Sequence, residues 1–173
     1  ELRRASDGTL VRELGRGDAS AMVAAGWTPP ERVVAKGRDA TTDVWGVVWR
    51  PCGSAADASP RAVVEQIYAG PQDFFVPKEW SPWHGQRDLT REGFVVVQVD
   101  GMGTNWRGKK FHDTCWKNLK DAGLPDHVAW LRAAAATRPW MDLARVGIYG
   151  GSAGGQNAMR ALLDFPGVYR AGV

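Results

Sequence analysis

Histidine and cysteine are scarce, with three of the first and two of the second in 173 residues. Cys52 and Cys115 form no C-x-x-C spacing. They could pair, but two buried free thiols are the plainer reading. No apolar run is long enough to cross a membrane, and the first residues do not read as a signal peptide. Neither charge sign dominates. Twenty-two Lys and Arg face nineteen Asp and Glu, a net +3 with no basic block, so nucleic-acid binding is not suggested. The glycine spacing of a dinucleotide fold, G-x-G-x-x-G, is absent, and no lysine follows the glycines as in a phosphate-binding loop.

What is present is a globular composition, 44% apolar and 24% charged, in a length that suits one ordinary domain. Nine tryptophans are many for this length. They fit a sizeable core or aromatic-lined clefts.

The most informative stretch runs from Arg145 to Gly155. Val146, Ile148 and Tyr149 read as a short buried strand. Gly150-Gly151-Ser152-Ala153-Gly154 reads as a turn of the pattern G-x-S-x-G, and Gln156 to Asp164 reads as a helix. A serine at the tip of so sharp a strand-to-helix turn is a nucleophile elbow. Its neighbours must lack bulk so that strand and helix can approach. Gly150, Gly154 and Gly155 supply that room. The helix N-terminus then favours negative charge developing near the Ser152 hydroxyl.

Along the chain, Ser6-Asp7-Gly8-Thr9 between alternating runs predicts a hairpin in residues 1–15. Arg16-Gly17-Asp18 matches a cell-adhesion tripeptide that is common by chance, and reads as loop. Ala19 to Trp27 reads as a connector. Residues 31–36 and 43–50 are strands joined by a hairpin loop, and residues 61–68 are a third strand. A short helix is expected from about Ser81 to Arg91. Gly93 to Asp100 is a nearly continuous apolar strand, as suits a central position covered on both faces. Lys109 to Leu119 is expected to be helical. A second helix starts at Pro125, with Asp126 in its first turn favouring the dipole. A last strand opens at Tyr169. Strand and helix alternate from Val63 onward, which predicts an α/β fold: a mostly parallel sheet with helices on both faces and antiparallel edge strands from residues 31–50.

Three segments carry a resemblance: Tyr68-Ala69-Gly70-Pro71, Asp100-Gly101-Met102-Gly103 and Gly150-Gly151-Ser152-Ala153-Gly154-Gly155. In this order and spacing the chain resembles the prolyl oligopeptidase family of serine peptidases, in its dipeptidyl peptidase IV-like branch. The resemblance implies an α/β-hydrolase domain over residues 28–173, incomplete at its C-terminus. Residues 1–27 would be the end of a preceding β-propeller and a connector. It also implies Ser152 as nucleophile, with the Ala153 backbone N–H and the Tyr68 hydroxyl as oxyanion donors. No metal and no cofactor would be needed. On the residues alone, Tyr68 reads as a tyrosine packed at a strand end. Ala153 departs from the branch, which usually has an aromatic residue there, and this bears on the shape of the pocket. The implied partner is a peptide substrate, and a homo-oligomer of the full-length protein is allowed. Compartment stays open between cytoplasmic and, with a signal peptide ahead of this stretch, periplasmic or secreted.

In this fold the triad acid and histidine follow the serine, yet no histidine follows Ser152 here. His84, His112 and His127 all precede it and read as core or surface residues. Asp164 lies too near on the same helix to be the acid. Both ends of the chain also read as strand interiors. The expectation is a piece of a larger protein, inactive alone, with its catalytic acid and base beyond Val173 and an exposed sheet edge. Two other readings keep the same elbow: an esterase or other acyl hydrolase, and a non-catalytic relative that binds peptides or partners. The Tyr68 segment and the β-rich N-terminus favour the peptidase.

Overall fold

Alternating strands and helices need a sheet with both faces served, and the computed structural model has that layout. It describes residues 1–51, 53, 58–81, 85 and 87–173. Strands β3 (Glu31–Lys36), β4 (Asp43–Trp49), β5 (Arg61–Gln66), β6 (Val95–Asp100), β7 (Met141–Tyr149) and β8 (Tyr169–Gly172) form one six-stranded sheet in the order β3-β4-β6-β5-β7-β8. β3 and β4 are an antiparallel hairpin at one edge, and β4 runs antiparallel to β6. β5 is parallel to both β6 and β7, and β7 is parallel to β8. All six positions of β6 are buried, as its unbroken apolar run predicts. β7 starts at Met141, four residues before the expected strand, and pairs with Arg61 through a register shift at Ala62 and Val63.

The larger core lies under helices α4 (Leu124–Ala136) and α5 (Ala153–Asp164). Val33, Val44, Val63, Ile67, Val146 and Ile148 point into it from the sheet, and Val128, Trp130, Leu131 and Ala134 from α4. The Trp130 indole donates to the Val33 carbonyl at 3.1 Å. Its ring lies so close to Gly46 that a Cβ there would be 2.5 Å from it, so glycine is required at that point of β4. On the opposite face Val47, Trp49, Val76 and Val96 make a smaller cluster with Leu89, in the short helix α2 (Arg87–Arg91), and Phe94. Tryptophan serves both of its expected uses: Trp49 and Trp130 are core, and Trp27, Trp45, Trp80 and Trp106 line one cleft, while Trp116 is exposed.

Residues 1–27 stand apart from this sheet. Strands Leu2–Arg3 and Leu10–Arg12 (β1 and β2) form the predicted hairpin and share no sheet with the rest. Asp7 Oδ1 accepts the Thr9 N–H at 2.9 Å in its turn. A five-residue helix, Ser20–Ala24 (α1), leads on from it.

One expectation is corrected. The helix over Lys109 to Leu119 is broken: helix α3 spans only Lys109–His112, followed by single 3₁₀ turns at Asp113–Cys115 and Leu119–Asp121. The residues at Trp116 and Leu119 are exposed, so no apolar stripe holds the segment against the core, and Lys117 sits at φ 53°, which ends any helix. Asp126 does more than favour a dipole. It is fully buried, and it accepts from the Arg38 backbone N–H and guanidinium and from the Met102 N–H at 2.8–3.0 Å. It therefore ties the β3–β4 loop to the turn after β6. Of the helix expected over residues 81–91, Pro82 to His84 and Gln86 lie outside the described residues. Cys115 is a half-buried free thiol, and Cys52 lies outside the described residues. No helix among the described residues is long and apolar enough to cross a membrane.

A carboxylate inside such a sheet is costly unless it is paired. Glu65, fully buried on β5, is hydrogen-bonded to His127 Nδ1 and accepts from the Tyr169 hydroxyl at 2.8 Å. Burial pushes the His127 imidazole down, but the charge and hydrogen bond of Glu65, with Asp126 and Asp100 behind, outweigh it and hold His127 above its ordinary 6.5. A raised native pKa gives stability that is complete below the unfolded value and is lost as pH rises through the native one. Denaturant unfolding should therefore show stability falling above about pH 6.5, with a shallower fall in Glu65→Gln. Equal slopes in the two proteins would contradict a charged pair.

Candidate active site

The C-terminal ends of parallel strands are where an α/β sheet holds its chemistry, and β7 and β5 end side by side. β7 leads through Gly150 and Gly151 to Ser152, and α5 begins at the next residue. Ser152 has φ 55° and ψ −120°, a backbone conformation that side-chain-bearing residues rarely adopt. Its side chain is exposed. The bend exists because its neighbours have no side chains. A Cβ on Gly150 or on Gly154 would overlap the Ile67 carbonyl oxygen, and one on Gly150 would also lie 2.5 Å from the Gly154 backbone. A Cβ on Gly155 would sit 3.1 Å from the Gly150 carbonyl oxygen, tight enough to need adjustment. Gly151 has open space around it, so its lack of a side chain is not a steric demand of the bend.

The first turn of α5 leaves one amide open. Gly154 N–H bonds to the Gly151 carbonyl, and Gly155 and Gln156 N–H bond to the Ser152 carbonyl. Among the described residues the Ala153 N–H bonds to nothing. An unpaired amide at a helix N-terminus, beside an exposed hydroxyl, is an anion-binding arrangement.

Tyr68 arrives from β5. Ile67 N–H still bonds the Tyr149 carbonyl at 2.9 Å, so the residue before Tyr68 is locked to the strand that feeds the elbow. The Tyr68 ring passes 3.5 Å from where a Gly154 Cβ would be, which puts it against the start of α5. Its other side packs on Phe75, with ring centroids 4.8 Å apart. Phe75 is held in turn: Asp100, at the end of β6, accepts the Phe75 and Val76 N–H groups at 2.7 and 3.1 Å and the Lys78 ammonium at 3.0 Å. The structure thus brings Tyr68 beside the elbow that carries Ser152 and Ala153. Asp100 contributes by holding Phe75, which packs on Tyr68; from sequence it reads only as the head of the turn segment 100–103.

The histidines go elsewhere. His112 Nε2–H donates to the Pro71 carbonyl at 2.9 Å, bracing the segment after Tyr68. His127 is in the core with Glu65, and His84 lies outside the described residues. Asp164 pairs with Arg160 at 2.7 Å on α5. Sequence reading missed Asn157, whose side-chain oxygen accepts the Ala69 N–H at 3.1 Å. The available signal was a polar residue on the buried stripe of α5, with Gly154, Ala158 and Ala161.

A mostly parallel sheet with helices on both faces, and a serine at a positive-φ strand-to-helix bend, define an α/β-hydrolase domain. The particular family follows from comparison. The profile of the prolyl oligopeptidase family matches residues 82–173, more than half of the chain, and the chain belongs to that peptidase family. It is 28% identical over 149 residues to dipeptidyl peptidase 8 of Mus musculus, covering 85% of this chain and 16% of that protein. The crystal structure of Porphyromonas gingivalis dipeptidyl peptidase 4 superposes with a TM-score of 0.76 at 27% identity, over 98% of this chain and 24% of that one. A putative dipeptidyl aminopeptidase IV from Bacteroides ovatus shares the fold, with a TM-score of 0.75 at 24% identity over 83% of this chain and 20% of that one. The chain thus spans at most about a quarter of these relatives.

The bend at Ser152 stores backbone strain of about 1–3 kcal/mol. Ser152→Gly should raise stability by about 1 kcal/mol in denaturant unfolding. A destabilised glycine variant would show that the bend is not strained.

Proposed function

We propose that this chain carries the nucleophile and oxyanion site of a serine peptidase of the dipeptidyl- or oligopeptidase kind. Ser152 Oγ attacks the carbonyl carbon of a peptide bond as a general base takes its proton. The oxygen of the resulting tetrahedral intermediate accepts from the Ala153 N–H and the Tyr68 hydroxyl. Collapse expels the amine, which takes the proton back from that base, and water, deprotonated by the same base, then releases the acyl group from Ser152. The observation that carries this reading is the meeting of three features at one bend: a strained, exposed serine, an unpaired amide next to it, and a tyrosine ring against the same helix turn.

Neither His112 nor His127 is free to serve as the base, since they are committed to Pro71 and Glu65, and in this fold the acid and histidine follow the serine. Peptide turnover is therefore not expected of the 173-residue chain alone. Residues 1–27 are the end of a β-propeller and its connector, a reading supported by a hairpin separate from the main sheet and by a superposition that covers 98% of this chain.

A fluorophosphonate probe on the full-length protein should label Ser152, because labelling needs an activated nucleophile. Ser152→Ala should abolish labelling and peptide turnover. Tyr68→Phe should lower kcat by about 10²–10³-fold, the usual effect of losing one oxyanion donor. Turnover of a simple ester but no peptide amide would favour an esterase. Absence of label on Ser152 would contradict the reading as a whole.

A further inference from the structure

Tyr68 lies beyond the end of β5, where the sheet no longer fixes the backbone. The ladder bond from Ile67 N–H to Tyr149 is still made, but two residues later the Ala69 N–H is buried with no strand to accept it. A buried donor must find an acceptor or destabilise the fold. The acceptor here is Asn157 Oδ1, 3.1 Å away and itself buried. Asn157 is the polar member of the stripe Gly154, Asn157, Ala158, Ala161 that α5 turns inward. Only the oxygen end of its amide can accept from an N–H, which fixes the orientation of the side chain.

Asn157 and Ser152 ride on the same helix, five residues and about 7.5 Å of axial rise apart. Ile67, just before Tyr68, has its carbonyl oxygen in the space that a Cβ on Gly150 or Gly154 would need. Ala69, just after it, is bonded to Asn157. The Tyr68 backbone is therefore registered to the elbow helix on both sides, once by close packing and once by a hydrogen bond. The packing contact sets how near the two come. The hydrogen bond sets the direction in which the chain leaves, and so the direction in which the phenol points.

We infer that Asn157 is a positioning residue of the oxyanion site, aligning the Tyr68 hydroxyl with the Ser152 hydroxyl by holding the Ala69 amide to α5. The inference rests on the roles proposed above for Ser152 and Tyr68. It gives the buried asparagine a purpose beyond satisfying one amide. The transition state needs the donor within a few tenths of an ångström of its place, whereas substrate binding does not.

The test is a double-mutant cycle on the full-length protein with a chromogenic peptide substrate. Asn157→Ala keeps a strong helix former at the position and should lower kcat about tenfold with KM within about twofold. In a Tyr68→Phe background the same substitution should cost less than about twofold, because the hydroxyl it aligns is gone. Should the alanine variant fail to fold, Asn157→Ser takes its place, since a hydroxyl one bond shorter does not reach the Ala69 amide. Equal losses in the two backgrounds would show a merely structural residue and overturn the inference. Wild-type turnover that needs Ser152 and Tyr68, with additive Asn157 effects, sinks this inference alone. Wild-type turnover independent of Ser152 or of Tyr68 sinks the underlying reading and this one with it.

Discussion

The Ile67 carbonyl oxygen occupies the space where side chains of Gly150 and Gly154 would begin. Two backbones meet there with nothing between them. That approach can be made only by glycine, and it brings the end of β5 against the start of α5. The residue on the β5 side of the contact is followed by Tyr68, and the residue in the middle of the bend is Ser152. Ser152, on a strained turn, and Tyr68, just past the end of β5, are thereby held on the two sides of one backbone contact.

Side chains then hold what the backbone approximates. The segment after β5 leaves the sheet, and several of its backbone polar groups are met from different elements. Asn157 takes the Ala69 N–H, His112 donates to the Pro71 carbonyl, and Asp100 takes the Phe75 and Val76 amides. Asp126 performs the same service for the turn after β6, with Arg38 as its counter-charge. Glu65 and His127 sit one layer beneath, where Tyr169 satisfies the remaining carboxylate oxygen. Buried polar groups of this kind add little net stability when complete and cost several kcal/mol when one partner is lost. What they supply is a single arrangement of loops at the strand ends beside Ser152.

Much of this was legible in the sequence. The apolar run of β6, the hairpin residues and the glycine-flanked serine each follow from local patterns, and the sheet order agrees with them. The family resemblance rested on three short segments that the fold gathers to one end of the sheet. What stayed hidden are the long-range polar contacts. Nothing local to Asp126 announces Arg38, and nothing local to Asn157 announces Ala69, because each partner is 88 residues away. The segment after Lys109 suggests a helix from sequence because His112, Cys115 and Trp116, at mixed spacing, permit helical turns. Only the exposure of Trp116 and Leu119 shows that no face was available to stabilise one.

The central claim is that the Tyr68 hydroxyl and the Ala153 amide converge on one oxygen bonded through its parent atom to Ser152. A crystal structure of the full-length protein carrying a phosphonate adduct on Ser152 tests this directly. The account predicts a phosphonyl oxygen about 2.7–3.1 Å from both the Ala153 nitrogen and the Tyr68 hydroxyl oxygen. An adduct whose oxygen meets neither group, or a Tyr68 phenol turned away from it, would contradict the account.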